Sequence, residues 1–349
     1  MSAADLSTLL VWFATTAFTI ALLAWTTDLA RIAERSTTRR ASAAPVAEPV
    51  AVGAAVGTRA GSGGGDRAAA TPPSPLRSAR AEGIGRSTGT LGVLLLLAGV
   101  VARGIAAGRW PTANMYEFTL VGVLVAMGVL TVVQRRRALP FVAVVVTGIS
   151  VLALALALLV FYVQAEAVQP ALQSYWLVLH VGVAIIATGV FTVGFASSVL
   201  QVLREGREAG RSHLDRSWGA ADPVRRALAG WKVTGPRFAW LDQVPTARAL
   251  ESLTFRLLSV GFVLWTFTLI GGAIWAEHAW GRYWGWDPKE VGTFIAWVVY
   301  AAYLHARTTR GWSGRRAAFI VWVGYAVVLA NFTVINLVVT GKHSYSGLG

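Results

Sequence analysis

Apolar stretches of about twenty residues, separated by short polar or arginine-bearing segments, recur along the chain at roughly 7–30, 89–108, 115–134, 138–163, 175–203, 253–275, 291–306 and 317–340. At 1.5 Å per residue, about twenty residues of helix match the ~30 Å hydrocarbon core of a bilayer. The pattern predicts an all-α polytopic membrane protein of about eight transmembrane helices. Between the first two stretches, residues 35–88 are dominated by Ala, Gly, Pro, Ser and Arg. Such a segment has too little apolar surface to fold by itself and is expected to be a disordered linker. The chain then divides into an N-terminal transmembrane anchor (1–34), a cytoplasmic linker (35–88) and a seven-helix domain (89–349).

Composition agrees with a lipid solvent. Only 14% of the 349 residues are charged and 55% are hydrophobic, where a soluble chain carries about a quarter charged residues. The net charge of +14 invites a nucleic-acid reading. The placement of the cations argues against it. Nine Lys/Arg lie in 31–88, three at 135–137, nine in 204–250 and four in 307–316, with Arg256 on the same side. Only Arg103, Arg109, Arg282, Lys289 and Lys342 fall on the other. By the positive-inside rule this puts both termini outside and the basic loops in the cytoplasm, without a nucleic-acid partner. The first stretch has Asp5 as its first charge and its arginines after it, the order of an uncleaved anchor rather than a signal peptide. The multi-pass topology suits a cell membrane, with the lipid bilayer as obligate partner.

Two of the loops expected outside are chemically unusual. Residues 275–286 hold Trp275, Trp280, Tyr283, Trp284 and Trp286, interleaved with glycine. An interfacial aromatic belt needs one or two aromatics per helix end. A cluster this dense suits stacking on a large planar ligand that is apolar in its body and charged at its rim. Asp287-Pro288 then reads as the cap and first residue of the next helix. The chain has no cysteine, which removes disulfides, thiolate metal sites and cysteine nucleophiles. Five histidines remain as soft-metal ligands.

The segment WGRYWGWDPKE (280–290) resembles the WWD signature of the haem-handling proteins of cytochrome c biogenesis. WPTANMYEF (110–118), LQSYWLVLHV (172–181), YLHAR (303–307) and GKHSYSG (341–347) resemble four further motifs of the same proteins, in the same order. Together they make residues 89–349 similar to the CcsA/ResC family of system II cytochrome c synthases, whose actinobacterial members are labelled CcsB. Lys342 and Ser346 depart from the commoner Leu and Gly around the last histidine, and the anchor and linker are less regular in the family. The resemblance implies haem b (iron protoporphyrin IX) as the molecule handled. It further implies an apocytochrome c as acceptor and a CcsB/ResB-type membrane partner with a large external domain, for which this chain has no counterpart. The chain would then be one subunit of a cytochrome c haem lyase.

The histidines are placed accordingly. His180 lies about five residues into its span, some 7 Å below the outer interface, and His343 follows the outer end of the last span. Both are expected to reach the Trp loop and to ligate haem iron from opposite faces. His305 is 14 residues beyond Val291, about 21 Å deeper, and cannot share a metal with them. The resemblance makes it a second, embedded haem contact; a histidine snorkelling at the inner headgroups is the plain alternative. His278 and His213 are expected not to ligate.

Trp275, Trp280, Tyr283, Trp284, Trp286 and Asp287 form the expected haem platform, with Arg282 and Lys289 as cations for the propionates. Asn114, Tyr116 and Glu117 are motif residues at the mouth of a span, and Arg103 or Arg109 is the expected partner of Glu117. Asn331 and Asn336, five apart, are expected on different faces of the last helix. The loop 204–250, with its arginines and Trp218, Trp231 and Trp240, reads either as an amphipathic element on the anionic inner leaflet or as a solvated basic loop.

Two other functions fit parts of this pattern. A haem transporter or chaperone without ligation would use the same residues. An unrelated polytopic transporter is disfavoured, since no internal repeat and no matched pair of broken spans is present.

Overall fold

The structure, a computed structural model, describes residues 1–42, 79–136, 140–165, 174–339 and 341–342. The described residues form helices and turns, without a strand. In chain order they are α1 (Ala3–Ser42), α2 (Ala79–Ala107), α3 (Met115–Arg136), α4 (Pro140–Leu159) and α5 (Tyr175–Glu208). Then come a short α6 (Asp222–Ala227) among 3-10 turns, α7 (Ala247–Trp280), α8 (Pro288–Thr309), α9 (Gly314–Phe332) and α10 (Val334–Val338).

Among the described residues, seven helices are long and apolar enough to cross a membrane, with α9 and α10 together making one of them. The remaining expected span, 291–306, corresponds to α8. Its 22 residues reach about 33 Å, but Tyr300, Tyr303 and His305 dilute its apolar run, and Lys289, Glu290 and Arg307 bracket it. The expected linker is helical at both margins, 35–42 and 79–88; residues 43–78 lie outside the described residues.

The helices pack in two groups that meet at α5. Phe18, Leu96, Leu120, Phe141 and Leu154 are buried among α1–α4. Phe191, Leu258, Trp265, Tyr300 and Val321 are buried among α5 and α7–α9. Inside lipid, apolar transfer supplies little between helices, so close packing and hydrogen bonds must hold them. The α5–α7 contact, among the most extensive between the described helices, shows how. A side chain at Gly261 would stand 2.4 Å from the Phe191 ring, so only glycine admits that approach. Hydrogen bonds tie the same group together: Thr192 Oγ1 and Tyr325 OH are 2.9 Å apart, and Trp297 Nε1 donates to Thr266 Oγ1 at 2.9 Å.

The segment between α5 and α7 is a series of short helical turns, part of it packed on the bundle. Ala239, Leu241 and Val244 are buried, and residues 236–243 pack on α1. Arg207 grips Asp242 through two nitrogens at 2.7 and 2.9 Å. Trp218 and Trp231 stay exposed. The Arg225 guanidinium beside Asp222 holds that carboxyl down to about 2.

Candidate functional site

The start of α5, the end of α7, the start of α8, the end of α9 with α10 and the start of α3 enclose a cleft with about 940 Å³ of empty space, part of it open to the surroundings. Apolar walls come from Met115, Phe118, Trp265, Trp275 and Phe332, and polar points from Asn114, His180, Thr268, Lys289, Asn331 and Asn336. This mix of apolar walls and a few convergent polar groups is that of a ligand site. A smaller cleft of about 380 Å³ adjoins it, shares His180, Thr268, Lys289 and Thr293, and adds Tyr283, Trp284 and Glu290.

His180 stands where the two clefts meet. Its Nδ1 lies 2.8 Å from the Thr268 carbonyl oxygen of α7. A carbonyl only accepts, so Nδ1 carries the proton and the lone pair sits on Nε2, the arrangement by which imidazole binds a metal. The Trp275 ring, buried, runs parallel to the imidazole at 6.3 Å. Gly272 makes room: a Cβ there would meet the imidazole carbon Cε1 at 2.7 Å. The Gly271-Gly272 pair was visible in the sequence as a break in an apolar run, yet neither it nor Thr268 was legible as part of the site.

The Trp loop is short because both ends are closed by their own sequence. α7 stops at Gly281, whose φ of 68° puts it in the left-handed region that favours glycine. α8 starts at Asp287 with a capping box: Asp287 Oδ1 accepts from Lys289 N at 3.1 Å, and Glu290 accepts from Asp287 N at 3.0 Å. Glu290 also accepts from Gly285 N at 2.8 Å and from Arg282 at 3.3 Å. Arg282 lies 5.5 Å above the Trp280 ring, and Trp280 meets Trp275 edge-on at 4.8 Å. Tyr283 and Trp286 are exposed. Trp284 contacts Trp286 and Phe294 edge-on.

At the start of α3 Asn114 caps the helix, its Oδ1 accepting from Glu117 N at 2.9 Å. Glu117, fully buried, accepts from Arg103 Nε at 3.0 Å, from Arg109 at 2.7 Å and from Ala113 N at 2.9 Å. Both arginines hold it, where the sequence suggested one or the other. Arg103 also donates to the Val163 and Gln164 carbonyls and lies 5.1 Å over the Tyr116 ring. Tyr116 and Glu117 therefore brace α3 from behind, and Asn114 faces the cleft.

Of the expected site residues, the structure brings His180, Trp275, Lys289 and Asn114 to one cleft, and places Tyr283 and Trp284 on its neighbour. Lys289 donates to the Asn331 carbonyl at 2.9 Å, and Arg282 is paired with Glu290. His305 is exposed on α8, about 25 Å along the helix from Pro288, and is not in this cluster. His343 lies outside the described residues. Asn331 and Asn336 line the same cleft, not different faces, because the helix breaks at Thr333. Among the described residues no group of three His, Asp or Glu side chains could hold a bare metal ion.

Comparisons with known proteins agree on one family. Residues 111–343 match the model of the Cytochrome C assembly protein family, a range that runs from the first of the motifs described above to the last histidine. A curated relative, "Cytochrome c biogenesis protein CcsA" of Synechococcus sp. (strain CC9902), is 37% identical over 259 residues, covering 72% of this chain and 83% of the relative. The protein of the same title from Parasynechococcus marenigrum (strain WH8102) is 36% identical over 257 residues, with the same two shares of 72% and 83%. Among solved structures, "Cytochrome c Heme Lyase CcmF" superposes with a TM-score of 0.58 at 16% identity, covering all of this chain and 49% of that one. At that identity the likeness is one of fold, and this chain spans about half the length of that solved chain.

Proposed function

The chain belongs to the Cytochrome C assembly protein family and so to cytochrome c biogenesis; from that premise we propose that it holds haem b at the outer face of the cell membrane. There it presents haem for attachment to the CxxCH segment of an apocytochrome c, as one subunit of a system II synthase. The observation that carries this reading is His180, oriented by the Thr268 carbonyl and facing a cleft walled by Trp275 and Trp265.

In this reading His180 and His343 are the two iron ligands at the outer site. Trp275, Trp280, Tyr283, Trp284 and Trp286 form the aromatic platform, and Arg282 and Lys289 are the cations nearest the propionate edge. The substrate supplies both thiols, each S–H adding across one vinyl group, since this chain has none. Its own residues contribute position: they orient the ring, exclude water from one face and hold the iron until the substrate histidine replaces one ligand. His305, deep on α8, serves an earlier contact on the route from the inner side. A CcsB/ResB-type partner completes the synthase.

An absorption spectrum of the detergent-purified chain, with and without dithionite, tests this directly. The expected result is a reduced spectrum with the sharp α and β bands of bis-imidazole haem b, weakened in His180→Ala and in His343→Ala. A wild-type protein that carries no haem after co-expression with its partner in haem-replete cells would sink the proposal. Adding apocytochrome c then separates a synthase, which forms thioethers, from a carrier, which does not.

A further inference from the structure

A second kind of pocket lies between α1, α2 and α3, with about 410 Å³ of empty space, part of it open to the surroundings. Trp25, Met127 and Leu130, all buried, supply its apolar wall. Its polar points are Arg86, Thr90, Thr131, Gln134 and Arg135, and no Asp or Glu lines it. Gln134 is nineteen residues along α3 from Met115 of the larger cleft, so about 28 Å of helix separates the two. The apolar spans of α1 and α3 end at Arg31 and Arg135, and that of α2 begins at Arg80. We propose that this pocket is a binding site for a phosphate group, set where those spans give way to the level of lipid headgroups.

Gln134 carries the inference. Its side chain is 9% exposed, and Nε2 is buried without a hydrogen-bond partner among the described residues. A buried donor left unpaired is costly, and an apolar side chain of similar shape would avoid the cost. The amide lines the pocket, so a partner that enters from outside the chain and accepts hydrogen bonds would satisfy it. The threonine hydroxyls are already engaged as donors. Thr90 Oγ1 donates to the Arg86 carbonyl at 2.8 Å, and Thr131 Oγ1 to the Met127 carbonyl at 2.7 Å. The donors left for a ligand are the amide and the two guanidinium groups.

The charges point the same way. Arg135 is exposed where it lines the pocket. Arg86 meets Glu82 one turn back on α2 at 3.5 Å, with 45% of its side chain exposed, and a contact so long and so exposed neutralises it only in part. Guanidinium forks match the oxygens of phosphate. Here they approach from two helices, and a tetrahedral group presents oxygens to both. Close packing brings them together: a Cβ at Gly85 would stand 2.7 Å from the Trp25 ring, so glycine lets α2, and Arg86 with it, approach α1. For a membrane-spanning chain the anion at hand at this depth is the phosphate of a phospholipid, and basic pockets between spanning helices bind such headgroups.

The absence of cysteine from the chain makes a local test clean. Thr131→Cys puts a single thiol on the pocket wall of the full chain, and its labelling by N-ethylmaleimide is followed in a phosphate-free sugar detergent. The additions are phosphatidylglycerol, diacylglycerol as the same lipid without phosphate, and inorganic phosphate. Phosphatidylglycerol is expected to slow labelling and diacylglycerol to leave it unchanged. In the same background Gln134→Leu, and separately the pair Arg86→Gln and Arg135→Gln, should raise the concentration for half-protection by about tenfold or more, the factor that loss of one hydrogen bond to a charged group implies. Arg310→Gln, an equal loss of charge at the end of α8, should not. Gln134→Leu should unfold at or above the parent midpoint, which separates lost binding from lost fold.

Protection by phosphatidylglycerol alone assigns the group to a lipid headgroup, and protection by inorganic phosphate at similar concentration assigns it to a soluble phosphate; both uphold the site. Labelling that neither phosphate probe slows would mean that the pocket holds only water, and would overturn it. Equal protection by diacylglycerol would do the same, as would half-protection unchanged in both sets of pocket variants or weakened as much by Arg310→Gln.

Discussion

Adjacent glycines on α7 offer a controlled test of how His180 is oriented. A Cβ at residue 272 would lie 2.7 Å from His180 Cε1 and 2.9 Å from Nδ1, well inside van der Waals contact. The imidazole must therefore move by several tenths of an ångström or more, and its 2.8 Å bond to the Thr268 carbonyl cannot survive a rotation of that kind. Loss of the hydrogen bond costs about 1 kcal/mol of stability. Alanine in place of glycine inside a helix returns about the same amount. Gly272→Ala should then fold with a near-native midpoint.

The affinity for haem should change far more. Removing the group that orients a metal-ligating histidine typically costs 10–100-fold in metal affinity, which is about 1.4–2.7 kcal/mol. At Gly271 the corresponding Cβ lies 3.7 Å from the His180 Cα and Cβ, an ordinary contact, so Gly271→Ala should bind as wild type. Haem titration followed by absorbance, beside thermal unfolding in the same detergent, measures both quantities. Wild-type affinity in Gly272→Ala, or an equal loss in Gly271→Ala, would refute the reasoning.

Other outcomes follow from the same geometry. Glu117→Gln removes the buried carboxylate that Arg103 and Arg109 share; a loss of about 3–5 kcal/mol is expected in a denaturation experiment, and an unchanged midpoint would contradict it. Glu290→Ala frees Gly285 N, Asp287 N and Arg282 together, and should raise exchange of those amides while costing about 1 kcal/mol as a lost capping partner. His305→Ala should leave the outer-site spectrum intact, since it lies about 25 Å along α8 from Pro288. In the segment between α5 and α7, Asp222 titrates near 2 because of Arg225, against about 3.9 when unfolded. Its contact is fully present above about pH 4 and is lost as pH falls towards 2. Trp218, whose amide donates to Asp222, should report this in fluorescence, with no transition between about pH 5 and 8.

Much of the architecture was legible because lipid imposes a simple rule. Residues apolar for about thirty ångströms must be helical, so α1–α5 and α7 appear within a few residues of their expected cores. What was missed came from helices that outlast their apolar runs. α7 continues to Trp280 and carries two of the platform tryptophans on its last turns, so part of the supposed loop is helix. α8 was legible from its cap, and of its polar residues Lys289, Glu290 and Thr293 line the two clefts. The aromatic cluster and the histidines stood out by chemistry alone. Their supports did not: Thr268 acts through a backbone carbonyl, Gly272 through absent atoms, and Asn331 joins Asn336 only because of a break at Thr333. Contributions of that kind leave no mark in residue type.

Glu290 gathers the Trp loop from one side and Asp287 from the other, while Trp286 is held at a φ of 57°, a conformation that costs a non-glycine residue about 1–2 kcal/mol. The loop has thus surrendered its conformational freedom when the chain folds, before any cargo arrives. A planar ligand settling on it need not bear the entropy of ordering it, so association spends little on the protein side. Under the haem-holding role proposed above, release of the ligand would likewise require no reordering of this loop.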